Sequence, residues 1–168
     1  GAGMGGLTTA LALQQAGIRV SVYEQAPALG EVGAGLTLAS NASRILQHLG
    51  LGAVLDDLAV IPARGAVKHY RTGRTLVDIP RGTTQLERFG APYCQIHRHD
   101  LHQALVAAVL SADRNCLHLG CKLEDFGQDA QSVTALFANG RTARGDLLLG
   151  CDGIRSTVRQ QYLPALAP

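Results

Sequence analysis

No excess of either charge marks this chain: fifteen basic residues face thirteen acidic ones, for a formal net charge of +2. A dedicated nucleic-acid binder would carry a clustered basic footprint, so that class is excluded. Lysine is nearly absent, with two against thirteen arginines. Arginine excess suits planar recognition of phosphate or carboxylate, and a biased genome composition would leave the same mark. Long apolar runs are also missing. The longest beside a helix is Ala104 to Leu110, far short of a membrane span. No charged stretch followed by an apolar one opens the chain, so no signal peptide is visible. The four cysteines, Cys94, Cys116, Cys121 and Cys151, show no CxxC spacing, which reads as reduced thiols in a cytoplasmic protein. Met and a first strand are missing ahead of Gly1, from which a piece of something longer is expected.

What is present is a core. Hydrophobic residues make up 46% of the 168 positions and charged ones 17%, which excludes intrinsic disorder. Gly1 to Gly6 lead into a helix over Leu7 to Gln15, stopped by Gly17 at the C′ position. Ile18 to Tyr23 reads as a strand, giving two-thirds of a βαβ unit. After a loop over 26–35, Gly35 to Leu38 is a short apolar stretch. Asn41 is expected to cap a helix to about Leu49, with Ile45, Leu46 and Leu49 on one face. Val67 to Tyr70 and Thr75 to Ile79 flank a hairpin turn. Tyr93 to His97 reads as a strand, and Asp100 as the opening of an apolar helix to about Leu110. Three short strands follow, at Leu117 to Leu119, Leu123 to Phe126 and Val133 to Phe137. Asn139-Gly140 is a tight turn in which both residues tolerate positive φ. Leu147 to Gly150 is expected to be a strand buried on both faces, and Ser156 to start a final helix stopped by Pro164. The fold class is α/β: a parallel sheet with a βαβ unit, an antiparallel meander and a separate β-layer. Residues 1–53 and 92–168 are expected to form a dinucleotide-binding domain, and 54–91 the start of another layer.

Three motifs carry chemistry. In Gly1-x-Gly3-x-x-Gly6 the first glycine permits a tight turn, the second close approach of backbone to a pyrophosphate, and the third close helix packing. The helix N-terminus then offers unpaired N–H groups to phosphate. Glu24 ends the following strand, eighteen residues after Gly6, where a carboxylate accepts from ribose hydroxyls. An acidic residue there disfavours a 2′-phosphate and leaves NAD or FAD. In the second motif, Asp152-Gly153-x-x-Ser156-x-x-Arg159, an apolar run delivers a sharp turn and Ser156 caps a helix. Gly153 lets a ligand approach the backbone, and Asp152 is able to hold ribose or a solvated phosphate network. The third, Ile96-His97-Arg98-His99-Asp100-Leu101-His102, has three histidines whose spacing does not converge on a metal, and no cysteine or carboxylate completes a set. No metal site is expected.

Together these motifs resemble the class A flavoprotein monooxygenases, the single-component FAD-dependent aromatic hydroxylases, with Glu24-Gln25-Ala26-Pro27, Gly33-Ala34-Gly35-Leu36 and Ile96-His97-Arg98 adding to the likeness. Within the family the chain is most similar to the salicylate hydroxylase and 6-hydroxynicotinate 3-monooxygenase branches, from Gly1 to about Leu163. The resemblance implies a Rossmann-like FAD-binding fold, incomplete at both ends. Gly1, Gly3, Gly5 and Gly6 would form the pyrophosphate loop, with Glu24 and Gln25 at the adenosine ribose and the Leu123 backbone beside the adenine. Arg98 would reach the central part of FAD, although a surface salt bridge is its plain alternative. Gly33 to Thr37 would run near the isoalloxazine. The hydroxynicotinate branch has His at the position of Thr37, which argues against that substrate. Arg44 would lie near flavin or NAD(P)H, or serve only as a solvated helix residue. Asp152 and Gly153 would face FAD, with Arg159 at the phosphates of NADH or NADPH.

The implied reaction uses NAD(P)H and O2 to hydroxylate a small aromatic acid through a flavin C4a-hydroperoxide, and no catalytic residue is assigned. The family's later flavin motif falls outside these residues, so the stretch alone is expected to bind flavin rather than to hydroxylate. Two alternatives stay open: another reaction on the same flavin fold, such as epoxidation, halogenation or reduction, and a non-catalytic dinucleotide-binding module.

Overall fold

A computed structural model describes residues 1–30 and 33–163. The expected stop at Pro164 lies outside the described residues. The chain divides into two compact units: Gly1–Gly30 together with the chain from Leu105 onward, and Glu31–Ala104.

The first unit opens with α1 (Met4–Gln15), which buries Gly6, Leu7, Ala10 and Leu11. Its end follows from Gly17 at φ +76°. The Ile18 N–H donates to the Leu13 carbonyl at 2.9 Å and the Gly17 N–H to the Gln14 carbonyl at 3.0 Å, the paired bonds of a Schellman cap. Only Val22–Tyr23 pairs as strand β1. Ile18, expected inside the strand, is instead 52% exposed just past the helix cap.

In the second unit β2 (Gly35–Leu38) precedes α2 (Ser40–Leu46). Asn41 lies inside α2 and Ala39 holds the cap position, which corrects the expected start. A π-type turn, Gln47–Leu51, joins α2 to α3 (Gly52–Leu58) through Gly50 at φ +86°. That left-handed residue, a conformation glycine adopts without strain, turns the apolar face. Leu46, Leu49, Leu51 and Leu55 are buried, whereas Ile45, expected beside them, is 54% exposed. Strands β3 (Arg64–Lys68) and β4 (Thr75–Pro80) form the expected antiparallel hairpin, with Val67 opposite Val77. A helix not anticipated, α4 (Thr83–Phe89), follows. β5 (Cys94–His97) pairs antiparallel with β2, and the buried Ser43 hydroxyl donates to the Pro92 carbonyl at 2.5 Å just before it.

Helix α5 (Arg98–Ala112) starts two residues earlier than expected, so Asp100 sits in its first turn. From Leu105 onward it belongs to the first unit. Leu101, Leu105, Val106 and Val109 are buried along one stripe. The Gln14 side-chain amide of α1 donates to the Val109 carbonyl at 3.3 Å. β6 (Leu117–His118) lies parallel to β1. Then comes the meander of β7 (Leu123–Gln128), β8 (Val133–Phe137) and β9 (Thr142–Gly145), all antiparallel. On β8, Val133, Ala135 and Phe137 are buried while Thr134 and Leu136 are exposed, the two-residue period of a half-buried strand. The β8–β9 turn takes positive φ only at Gly140 and not at Asn139. Last is α6 (Thr157–Tyr162).

One expectation fails outright. Leu147 to Gly150 is not paired as a strand, and Leu147 is 74% exposed. A strand is buried on both faces only when neighbours flank it, and among the described residues none does. No helix among the described residues is long and apolar enough to cross a membrane.

Candidate functional site

The glycine turn is built by close approach rather than by unusual φ. A Cβ on Gly1 would sit 2.5 Å from the Cys151 carbonyl oxygen, and one on Gly6 would overlap the carbonyl of Gly1. Gly3, Gly5 and Gly6 all avoid positive φ, so these positions lack a side chain for other reasons. At Gly1 and Gly6 the reason is packing. At Gly3 and Gly5 nothing among the described residues, neighbouring residues and local helix backbone aside, lies within 4 Å of where a Cβ would be. Gly3 is also the N-cap of α1: it brings no side chain to the first-turn N–H groups, and no acidic residue occupies that turn. An open cradle at an uncapped helix N-terminus fits a pyrophosphate.

Glu24 leaves β1 half-buried and reaches back to this turn. Its Oε2 accepts the Ala2 N–H at 2.7 Å and its Oε1 the Ala26 N–H at 2.9 Å. Each carboxylate oxygen has a second lone pair, so the group retains capacity for a ribose hydroxyl while it braces the turn. Gln25 is exposed. Tyr23 stacks between His118 and Phe137, at centroid distances of 4.8 and 4.6 Å. Leu123 is half-buried against the cluster of Cys121, Ala135 and Phe137.

The Asp152-Gly153 turn meets the glycine turn directly, through the Cys151 carbonyl beside Gly1. Gly153 takes φ +81°. Asp152 is occupied with the helix that follows: Oδ1 accepts the Ser156 hydroxyl at 2.6 Å, and Oδ2 accepts the N–H groups of Thr157 at 2.7 Å and Val158 at 3.2 Å. Burial pushes this carboxyl up, but the hydrogen bonds from Ser156, Val158 and Thr157 together outweigh it and hold the group below the usual carboxylate range. Ser156 caps α6 as expected, its Oγ accepting the Arg159 N–H at 2.9 Å. The Arg159 guanidinium donates to the Ile154 carbonyl at 2.6 Å, and its buried Nε has no hydrogen-bond partner among the described residues. A signal that sequence reasoning passed over is Gly150, where a Cβ would meet the Val158 side chain at 2.8 Å and push α6 away.

The remaining candidates belong to the second unit. The position a Gly33 Cβ would take lies 3.2 Å from the His99 nitrogen and 3.3 Å from the Arg98 Cβ, and the Arg98 N–H donates to the Ala34 carbonyl at 3.2 Å. The loop at Gly33 is thus pinned to the β5–α5 junction. Arg98 itself is exposed, as are Thr37, opposite Gln95 on β2, and Arg44 on α2. His97 and His99 meet edge-on with centroids 6.4 Å apart. No group of three metal-ligating side chains gathers among the described residues. All four cysteines are free thiols, and burial pushes those of Cys94 and Cys116 up. A cleft of about 220 Å³ between the meander and α6 contains none of the candidate residues.

Residues 1–164 match a family model described as an FAD binding domain. The 6-hydroxynicotinate 3-monooxygenase of Pseudomonas fluorescens is 36% identical over 163 residues, covering 97% of this chain and 42% of that protein. The 3-hydroxybenzoate 6-hydroxylase of Klebsiella oxytoca is 37% identical over 163 residues, covering 97% and 41%. Among solved structures, Klebsiella pneumoniae HpxO complexed with FAD and uric acid superposes with a TM-score of 0.84 at 30% identity, over 96% of this chain and 40% of that one. The chain therefore spans about two-fifths of the length of these relatives. By these matches the chain belongs to the FAD-binding flavoprotein monooxygenases.

Proposed function

We propose that this chain is the FAD-binding part of an NAD(P)H- and O2-dependent hydroxylase of small aromatic acids. The observation that carries the reading is the vacant Cβ position of Gly3 at the uncapped start of α1. Gly1 and Gly6 shape that turn, Gly3 and Gly5 leave room for the pyrophosphate, and the first-turn N–H groups of α1 donate to it. Glu24, with Gln25 beside it, holds the adenosine ribose, and the Leu123 backbone borders the adenine. Arg98 supplies a permanently charged fork to the central part of the cofactor. Thr37 borders the flavin ring, and Arg44 stands by the flavin or the reductant. Asp152 and Gly153 present backbone to FAD, and Arg159 holds the Ile154 loop where the nucleotide phosphates of NAD(P)H pass. When bound, FAD supplies the redox chemistry that joins NAD(P)H oxidation to insertion of oxygen into an aromatic ring. The protein's part is to bind, orient and exclude water.

Residues 54–91 open the substrate-binding layer in this reading. The half-exposed Val67, Leu76 and Val77 of the hairpin support it, since a sheet face left apolar suits a covering layer or an aromatic ligand. The free thiols support a reducing compartment, the cytoplasm. The test is flavin loading of the protein at its full natural length, followed by NADH and NADPH oxidation with a panel of aromatic acids. Stimulated oxidation with hydroxylated product is expected. A protein that gains no flavin absorbance with FAD would sink the proposal, and flavin loading with no response to any aromatic acid would redirect it to another reaction of the fold.

A further inference from the structure

The turn joining β8 to β9 reaches much further than a hairpin requires. The side-chain amide of Asn139 donates from Nδ2 to the Gly120 carbonyl at 2.9 Å, nineteen residues away in sequence. Its Oδ1 meanwhile accepts the Arg141 N–H at 3.0 Å, which closes the turn itself. Gly120, at φ +65°, donates its N–H to the Ala26 carbonyl at 3.0 Å, and the next N–H, of Cys121, donates to the Glu24 carbonyl at 2.8 Å. Ala26 in turn donates to Glu24 Oε1 at 2.9 Å, and Glu24 Oε2 accepts from Ala2 in the glycine turn at 2.7 Å. The chain of bonds runs without a break from the meander to the phosphate loop, entirely within the first unit.

We propose that Asn139 is a positioning residue for the adenosine half of the cofactor site: by holding the Gly120–Cys121 corner against the Glu24–Ala26 turn, it fixes where the Glu24 carboxylate points. The inference rests on the reading that Glu24 meets the adenosine ribose. The Asn139 side chain bonds to Gly120 and Arg141, and so acts on Glu24 only through the corner. Its two functions separate by atom: the acceptor Oδ1 serves the local turn and the donor Nδ2 serves the distant corner. Asp at this position keeps the acceptor, suits the same Asp-Gly turn, and removes the donor.

The experiment uses the flavin-free protein at its full natural length, comparing wild type with Asn139→Asp and Asn139→Ala. FAD affinity is followed by flavin fluorescence and ADP affinity by calorimetry. With Asn139→Asp both affinities are expected to fall by the same factor, about fivefold for one lost hydrogen bond, while the visible absorption bands of FAD at saturation stay unchanged. Asn139→Ala is expected to match it in affinity and to melt lower. The proposal is overturned if Asn139→Asp leaves both affinities unchanged, or if FAD binding weakens while ADP binding does not. A Glu24→Ala control separates the two layers: if it leaves FAD affinity untouched, the ribose assignment fails, whatever Asn139 does.

Discussion

The two units treat their candidate residues in opposite ways. In the first, Glu24, Asp152, Ser156 and Arg159 are all bonded to backbone or to one another before any ligand arrives. In the second, Thr37 and Arg44 stand exposed on β2 and α2, and large apolar side chains such as Val67, Leu76, Val77 and Phe89 are exposed further along the same unit. A pyrophosphate is common to every dinucleotide, so a half-site for it gains from being wired in advance. In the proposed function the second unit faces the flavin ring and has to meet whatever substrate and reductant the protein uses. The difference implies that substitutions in the first unit couple stability to flavin binding, and that those in the second separate the two.

The largest effect is expected at Gly6. A Cβ there overlaps the Gly1 carbonyl, so Gly6→Ala should cost about 3 kcal/mol and abolish flavin retention together, read by melting and by flavin absorbance after gel filtration. A variant that melts normally and keeps flavin would break the wiring of the first unit. Next comes Ser156→Ala, which removes the α6 cap and one donor to Asp152, at about 1 kcal/mol. The acid side of the stability profile gives a sharper reading. Because the folded carboxyl of Asp152 is depressed, its contribution is present above the ordinary carboxylate value and is lost as pH falls through the folded one. With Ser156→Ala the carboxyl titrates nearer its ordinary value, so the loss should move to higher pH. An unmoved acid limb would contradict the assignment.

In the second unit the expected stability effects are small. Arg44→Ala and Arg98→Ala should each stay within about 0.5 kcal/mol of wild type, with Arg98→Ala weakening FAD severalfold. If Arg98→Ala instead melted far lower with unchanged flavin affinity, the contrast between the units would invert. Smallest of all is Tyr70→Ser at the hairpin tip, where the ring is 86% exposed. Neither melting nor FAD affinity should change.

Local chemistry made much of this legible. The α1 stop at Gly17, the hairpin, the meander, Glu24 at a strand end and the Ser156 cap all follow from residue types within a few positions of each other. What escaped depends on distant partners. Leu147 to Gly150 reads as a buried strand, yet burial is a property of its neighbours and not of four apolar residues. The helix read as ending at about Leu49 instead leads on into α3 through Gly50, whose left-handed φ glycine permits without requiring. Glu24 was legible as an acidic strand end but not as the brace of Ala2, and Asn139 as a turn residue but not as the donor to Gly120. Those bonds join segments 22 and 19 residues apart, where no periodicity or spacing points.

In the proposed function the space over Gly3 belongs to the cofactor and not to the protein. Gly3→Ala tests it most directly, because among the described residues nothing beyond its chain neighbours lies within 4 Å of a methyl group there. Titration of the flavin-free variant with FAD, alongside its melting curve, should give an unchanged melting temperature and an FAD affinity at least about tenfold weaker, as overpacking against a bound pyrophosphate demands. An affinity equal to wild type at equal stability would contradict the account.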